Sequence, residues 1–321
     1  MNAPAIHDGG VKEFALVLFA GAALAVAMTY PTGFELGRVG RVDKGDGQLS
    51  IWNVAWVART LVVDPRHVFD ANIFYPHRGT LAYSENNLGA GALAIPVYWA
   101  TRNPYAAHNF VMLLSFVLSG AGMYYLVRYL TGDRRAPARF GLIVGFGLSV
   151  LAGVAVAHVF RRVRQPAAMA AALVVVTAGE LAVPMHMPSV PPVEPVYRTL
   201  ATLPRGPVIE MPFFYPQVGL FQHTKYMLAS TAHWMPMVNG YSDYIPPDFY
   251  ENVMTLAPFP SRPAFKILEP NAVRYAVFHM YGYNTENRND VLTRLKEFEP
   301  YLRPLYMDDT TRLYEIVGFP K

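Results

Sequence analysis

Apolar residues are concentrated before residue 184, where they form long runs separated by polar segments. The run Phe14–Tyr30 carries no charged residue, and its seventeen positions are about the minimum for a helix that crosses a bilayer. The pattern predicts four membrane-spanning helices: Lys12–Tyr30, Tyr105–Leu130, Phe140–Phe160 and Ala167–Val183. A shorter apolar run, Leu88–Thr101, contains Pro96 and predicts a re-entrant segment or a short span.

A long polar loop over residues 31–87 separates the first span from the next apolar run. Inside it, Leu49–Val63 predicts a helix that ends at Asp64-Pro65, because a residue before proline is disfavoured in the helical conformation. Trp52, Trp56 and Arg59 recur in this helix at helical spacing. Tryptophan is enriched at membrane interfaces, so the sequence predicts a helix that lies on the membrane surface.

The pattern changes from residue 184 onward. Residues 184–195 include the proline-rich stretch PSVPPVEP, which predicts an extended linker. Residues 196–321 then alternate between short helical and strand-like segments. The predicted helices are Val196–Leu203, Arg262–Glu269 and Asp290–Phe298, and the predicted strands are Val208–Met211 and Val273–His279. Two final strands, Leu302–Met307 and Leu313–Val317, lie on either side of the turn Asp308-Asp309-Thr310-Thr311. The predicted fold class is therefore an α-helical multi-span membrane domain, residues 1–183, followed by a small α/β domain.

Composition agrees with a membrane protein, since 53% of the residues are hydrophobic and only 16% are charged. The net charge is +4, and arginines cluster at 134–139 and at 161–164, beside apolar helices. Such clusters favour a role in setting membrane topology over nucleic-acid binding. The chain has no cysteine, which excludes disulfides, thiolate catalysis and cysteine-ligated metal. The N-terminal run favours an uncleaved anchor over a signal peptide.

Two carboxylates, Asp43 and Asp46, follow the first span within a segment that also contains Gly45 and Gly47. Paired acidic residues can bind a divalent cation, or one of them can remove a proton from a hydroxyl group. Asp-Gly pairs are also common in turns, so a purely structural role is the alternative.

Further along the loop, His77, Arg78 and Glu85 stand in segments that are rich in aromatic and amide side chains. Arg78 and His77 are candidate phosphate ligands, and Glu85 is a candidate second acid or ligand, since long structured loops are often functional. The alternative is that the polar residues cap turns and that Tyr75 and Tyr83 lie at the membrane interface.

The α/β domain offers weaker candidates. His223, His233, Asp243 and Asp248 stand among aromatic residues, but two histidines ten positions apart match no established metal-binding spacing. The sequence also lacks a serine nucleophile elbow, a phosphate-binding glycine loop and a dinucleotide fingerprint. Structural packing is the favoured interpretation of these four residues.

Several segments resemble bacterial polytopic membrane proteins of the GT-C glycosyltransferase type. The run GDGQLSIWNVAWVARTLVVDPRHVFDANIFYPHRGTLAYSENNLGAGALAIP resembles their first extracytoplasmic loop. The motifs PVIEMPFFYP, STAHWMPMVNGYSDYIPPDF and NAVRYAVFH resemble their extracytoplasmic C-terminal domain. Together these matches cover most of the chain.

The resemblance implies transfer of a sugar from a polyprenyl-phosphate donor to an extracytoplasmic acceptor at the bacterial cytoplasmic membrane. It implies Asp46 as the catalytic carboxylate, with Asp43 as the next match. His77 and Arg78 would support the phosphate leaving group, and Glu85 would bind substrate. A divalent cation is a possible cofactor, and the bilayer and the lipid-linked donor are the implied partners.

The chain departs from that family in its number of spans, because members have about a dozen and this sequence offers four or five. The segment TGDRRA leads directly into APARFGLIVGFG, which resembles a much later part of such proteins. The sequence therefore predicts that a middle block of helices is missing. The chain would then be a shortened glycosyltransferase of this type, and the sequence leaves open whether it is active or inactive. The alternative function is a non-catalytic, membrane-anchored protein whose C-terminal domain binds a partner or a glycan.

Overall fold

The computed structural model describes residues 8–41, 43–131, 188–216 and 219–321, together with positions 172, 175, 176 and 179. The predicted span Phe140–Phe160, most of Ala167–Val183 and both arginine clusters lie outside the described residues. The chain divides into two compact units. The first unit comprises residues 1–36 and 109–187, and the second comprises residues 37–108 and 188–321.

Two long apolar helices supply the described part of the first unit. Helix α1 spans Asp8–Met28, and helix α4 spans Pro104–Thr131 with its first turn in the second unit. Both are long and apolar enough to cross a membrane, and no third helix among the described residues meets both criteria. Large apolar side chains on them are exposed, such as Phe19 at 72%. The predicted spans Lys12–Tyr30 and Tyr105–Leu130 are thus confirmed as helices.

A charged group pairs α1 with α4 in this apolar setting. Glu13 Oε1 accepts hydrogen bonds from Arg128 at 2.6 Å and from the hydroxyl group of Tyr124 at 2.8 Å. An unpaired charge between apolar helices would be costly, and this ion pair offsets that cost.

Helix α2, Asp46–Val63, is the central helix of the second unit. Almost every residue from Leu49 to Ala58 is buried, which is typical of a helix that is apolar all round and enclosed by protein. Helix α3, Leu88–Thr101, packs against it through Gly91, Ala94 and Tyr98. A Cβ atom at Gly91 would collide with Val57, so this glycine permits the close approach of the two helices.

The predicted membrane-surface position of the Trp52–Trp56 helix is therefore wrong. Trp52 donates its indole hydrogen bond to Asn72 Oδ1 at 3.2 Å, and Trp56 donates to the carbonyl oxygen of Val68 at 2.8 Å. Both rings are buried inside the unit. The apolar residues that suggested an interface pack within protein instead.

The C-terminal part contains a four-stranded sheet. Its strands are β1 Val208–Met211, β2 Tyr275–His279, β3 Leu302–Met307 and β4 Thr311–Ile316, in the spatial order β1-β2-β4-β3. Strands β1 and β2 are parallel, whereas β4 is antiparallel to β2 and to β3. Every residue of β1 and β2 is buried. The predicted small α/β domain with a closing hairpin is confirmed.

Helices alternate with these strands along the chain. They are α5 Pro195–Thr202, α6 Thr224–Ala229, α7 Pro247–Leu256, α8 Arg262–Leu268 and α9 Thr285–Glu297. Helix α5 packs on the sheet through Val196 and Leu200, which join a core with Val208 and Val277.

Backbone hydrogen bonds join the loop that follows the first span to the segment that lies beside β1. Phe74 N donates to the carbonyl oxygen of Asn239 at 3.1 Å, and Met237 N donates to that of Asn72 at 2.9 Å. Val238 N in turn donates to the carbonyl oxygen of Val208 in β1 at 2.9 Å. Residues 37–108, predicted as part of the membrane domain, thus form one compact unit with the α/β domain.

Candidate acidic cleft

A polar cleft of about 430 Å³ lies at the start of α2 and is called the acidic cleft below. It lies entirely within the second unit. Its lining residues are Arg41, Asp46, Leu49, Ser50, Asn53, Glu85, Asn87 and Asp243. The structure therefore brings the predicted residues Asp46 and Glu85 together, although they are far apart in the sequence.

The turn before α2 is fixed by contacts with α6. Gly45 adopts a positive φ of 91°, a conformation that glycine tolerates best, and its N–H donates to Thr224 Oγ1 at 2.9 Å. The Thr224 hydroxyl group lies 2.7 Å from the carbonyl oxygen of Phe221. Asp46 begins the helix directly after this turn, so its position is set by residues from both segments of the unit.

The two predicted aspartates have different environments. Asp43 is paired with Arg41, whose Nε and terminal nitrogen lie 3.3 and 3.1 Å from its carboxylate oxygens. A Cβ at Gly47 would collide with the same carboxylate. The Asp46 carboxylate lines the cleft and forms no hydrogen bond or ion pair with the part of the chain that the structure describes. Asp46 is therefore the carboxylate available to a bound molecule.

Asn53 lines the cleft from the core of α2 and is only 3% exposed. Its amide nitrogen donates to the carbonyl oxygen of Glu85. Its Oδ1 atom is buried and accepts no hydrogen bond from the described residues. A buried acceptor without a donor is costly, and the hydroxyl group of a ligand would satisfy it.

Glu85 and Asp243 are connected by a shared hydroxyl group. Ser84 Oγ lies 3.0 Å from Glu85 Oε2 and 2.7 Å from Asp243 Oδ2. Burial and then the negative charges of Asp46 and Asp243 raise the pKa of Tyr241. Asp243, which the sequence assigned to packing, thus belongs to this cleft.

Metal ligation is not shown by the side chains of the cleft. Across the residues that the structure describes, no three histidine or carboxylate side chains are grouped to hold a metal ion. The divalent cation that the sequence analysis considered stays a prediction, and no chemical step is routed through one.

His77 and Arg78 lie away from the acidic cleft. His77 Nε2 is 3.0 Å from Asp248 Oδ2, and Arg78 is exposed. Neither residue lines the cleft, whereas Arg41 does. Arg41, which the sequence did not single out, is thus the cation that lines the cleft with Asp46 and Glu85.

The buried histidine His223 has a structural environment. Its Nε2 donates to the carbonyl oxygen of Phe214 at 2.9 Å, and its Nδ1 accepts from Asn239 Nδ2 at 3.1 Å. Burial lowers the pKa of His223 to about 4. The neutral ring therefore has both nitrogens satisfied, which agrees with the packing role predicted for it.

A second polar cluster was not predicted from the sequence. His279, at the end of β2, has Nε2 2.9 Å from Glu210 Oε2 and Nδ1 3.2 Å from Glu194 Oε2. Burial works against the protonated ring, yet hydrogen bonds to Glu194 and Glu210 raise the pKa of His279. The signal in the sequence that could have revealed this cluster is Glu210, a charged residue within the otherwise apolar strand Val208–Met211.

Comparison with known proteins gives no match: no family model, no curated protein and no solved structure is similar to this chain. In its described residues, the protein combines two helices that are long and apolar enough to cross a membrane with an α/β unit that carries an acidic cleft.

Proposed function

We propose that this protein is a membrane glycosyltransferase of the GT-C type that transfers a sugar from a polyprenyl-phosphate donor to an extracytoplasmic acceptor. One observation carries the proposal. Asp46, the residue that the resemblance matches to the catalytic carboxylate, lines a polar cleft without a partner among the described residues, beside Glu85 and Arg41.

The chemistry assigns a role to each of these side chains. The acceptor hydroxyl attacks the anomeric carbon while Asp46 takes its proton, and the bond from that carbon to the lipid phosphate breaks with inversion. The phosphate leaves with the bonding electrons, and the guanidinium of Arg41 stabilises its charge. Glu85 and the free acceptor of Asn53 bind hydroxyl groups of the sugar.

The proposal places the second unit outside the bacterial cytoplasmic membrane, with the two long apolar helices in the bilayer. Cysteines introduced singly at Arg66 and Asn289, which are both exposed, test this placement because the chain has no native cysteine. We expect a membrane-impermeant maleimide to label both variants in intact cells. Labelling only after permeabilisation would place this unit in the cytoplasm and contradict the proposal.

The activity itself is tested with the full chain reconstituted in liposomes. Polyprenyl phosphates that carry different hexoses and pentoses are supplied in turn, and released polyprenyl phosphate is measured by mass spectrometry. We expect consumption of at least one donor and no consumption after heat inactivation. Failure to consume any donor of the panel would overturn the assignment.

A second candidate function is a non-catalytic protein whose C-terminal domain binds a glycan or a partner. A further cleft, with Glu194, Tyr197 and Lys225 in its lining, favours it. In that case, replacement of Asp46 would have no effect on function, which separates the two candidates.

A further inference from the structure

A cleft of about 500 Å³ lies between the proline-rich segment Val190–Glu194 and helix α6, and is called the lysine cleft below. Its volume falls in the range of small-molecule sites. The charged side chains in its lining are Arg102, Glu194 and Lys225, and aromatic lining is supplied by Tyr105, Tyr197 and Tyr281. All of these residues belong to the second unit.

Lys225 is a half-buried cation held by aromatic rings. Its Nζ lies 4.8 Å from the ring centre of Phe214, 4.7 Å from that of Tyr226 and 5.6 Å from that of Tyr281. It forms no hydrogen bond or ion pair with the described residues. Burial, and then the charge of Lys44, lowers the pKa of Lys225 to about 8. Because this ammonium group is partly buried and has no anionic partner among the described residues, a bound anion would stabilise its charged form.

Glu194 is a fixed acceptor on the same cleft. Its Oε1 accepts the hydroxyl hydrogen bond of Tyr281 at 2.9 Å, and its Oε2 lies 3.2 Å from His279 Nδ1. The His279 ring behind Glu194 is shared with Glu210, which lies 2.9 Å from its other nitrogen. The two cations of the lining, Lys225 and Arg102, leave the cleft with a positive excess.

The segment that carries Glu194 is held in place by backbone contacts. Gly40 N donates to the carbonyl oxygen of Pro188 at 3.2 Å, and Val190 N donates to that of Arg38 at 2.8 Å. Glu194 directly precedes α5, which packs in the core. The acceptor and the cation are therefore both anchored before any ligand binds.

We propose that the lysine cleft binds a monosaccharide that carries one anionic group, with the anion at Lys225, a sugar hydroxyl at Glu194 and the ring of Tyr281 against the sugar. Aromatic faces and carboxylates suit the apolar face and the hydroxyl groups of a sugar, and the unpaired ammonium suits the anion. This site uses none of the residues of the acidic cleft, so it stands independently of the proposed transferase activity.

Binding to the full chain in detergent is measured by calorimetry with four probes: glucose 6-phosphate, glucuronate, glucose and inorganic phosphate. We expect one or both of the anionic sugars to bind at least about tenfold more tightly than glucose and inorganic phosphate. A preference for glucose 6-phosphate assigns the anion as a phosphate, and a preference for glucuronate assigns it as a carboxylate. Equal binding of glucose, or of phosphate alone, overturns the proposal.

Lys225→Met is expected to weaken binding of the preferred sugar by about tenfold to a hundredfold, whereas Lys225→Arg retains it. Lys266→Met, at an exposed position of α8, is the matched control and should bind as the native chain does. Unchanged binding by Lys225→Met would show that Lys225 does not hold the anion and would contradict the proposal. Thermal unfolding of each variant serves as the control that the protein is folded.

The protonation of Lys225 gives a second readout. Below its pKa of about 8 the ammonium is charged, so affinity for the anionic sugar should fall as the pH rises from about 7 to about 9.5. Lys225→Arg, which stays charged, should lose this dependence. The same pH dependence in both proteins would assign the anion contact to another group and contradict the proposal.

Discussion

Asp46→Asn is expected to lower sugar transfer by about 10²- to 10⁴-fold, the range over which a positioned general base accelerates a reaction. The amide keeps the size of the side chain but cannot take the proton of the acceptor hydroxyl. Since the carboxylate forms no hydrogen bond or ion pair with the described residues, its loss leaves no local partner unsatisfied. The measurement is the initial rate of polyprenyl-phosphate release in liposomes that contain equal amounts of folded protein.

Two related variants make this prediction specific. Asp64→Asn is the matched control, because Asp64 pairs with His67 at 2.8 Å in the same loop but does not line the acidic cleft. It should transfer sugar at the native rate. Asp43→Asn removes the charged partner of Arg41. Its transfer rate is expected to lie between the rates of Asp46→Asn and Asp64→Asn. Native activity in Asp46→Asn would show that this carboxylate is not the base.

Asn239→Leu is expected to destabilise the second unit by at least about 3 kcal/mol, because it leaves several buried polar groups unsatisfied at about 1–3 kcal/mol each. Asn239 Oδ1 accepts from Glu210 N at 2.7 Å, and Nδ2 donates to the carbonyl oxygen of Glu210 at 2.9 Å. The amide thus pairs with β1 as a strand would, and it also supports His223.

Urea unfolding of the full chain in detergent measures this loss. The four tryptophans report on it, since all of them lie in the second unit. Asn289→Leu makes the same change at an exposed position of α9 and should cost less than about 0.5 kcal/mol. If Asn239→Leu lowered the free energy of unfolding by a similarly small amount, the hydrogen bonds of the Asn239 amide to β1 would not stabilise the second unit as predicted.

Local structure was predictable from the sequence because its signals are local. The strand Val208–Met211 and the helix Leu88–Thr101 have the predicted bounds, and the hairpin of β3 and β4 was expected from its turn residues. Helix α9 begins earlier than predicted, at Thr285, where the Asn284 side chain accepts a hydrogen bond from Asn287 N at 2.8 Å. The short helices α6 and α7 were not predicted, although the buried residues Phe249, Val253 and Leu256 of α7 recur at helical spacing.

The environment of each element was harder to predict than its presence. The buried helix α2 and a surface helix share the same apolar and tryptophan-rich composition, and only the contacts of Asn72 and Val68 with its indoles distinguish them. The apolar pattern could not show that residues 72–75 pair with 237–239, because that pairing is made by backbone groups.

Part of the acidic cleft was predictable, because two of its residues belong to one local segment of the sequence. Asp46 and Glu85 belong to one continuous loop with a recognisable composition, so they were named in advance. Asp243 reaches the cleft only because its segment follows the edge pairing of residues 237–239, which no local pattern reveals. His77 and Arg78 had the right chemistry for phosphate but lie elsewhere, with His77 paired to Asp248.

Photo-crosslinking with a polyprenyl-phosphate sugar that carries a diazirine on the sugar tests the central claim most directly. Peptide mapping by mass spectrometry on the full chain in liposomes should place crosslinks in segments 41–53, 85–87 and 243, in both the native protein and Asp46→Asn. An excess of the unlabelled donor should abolish them. Crosslinks confined to segments 190–197 and 225–232 would instead place the sugar in the lysine cleft and contradict a catalytic role for the acidic cleft.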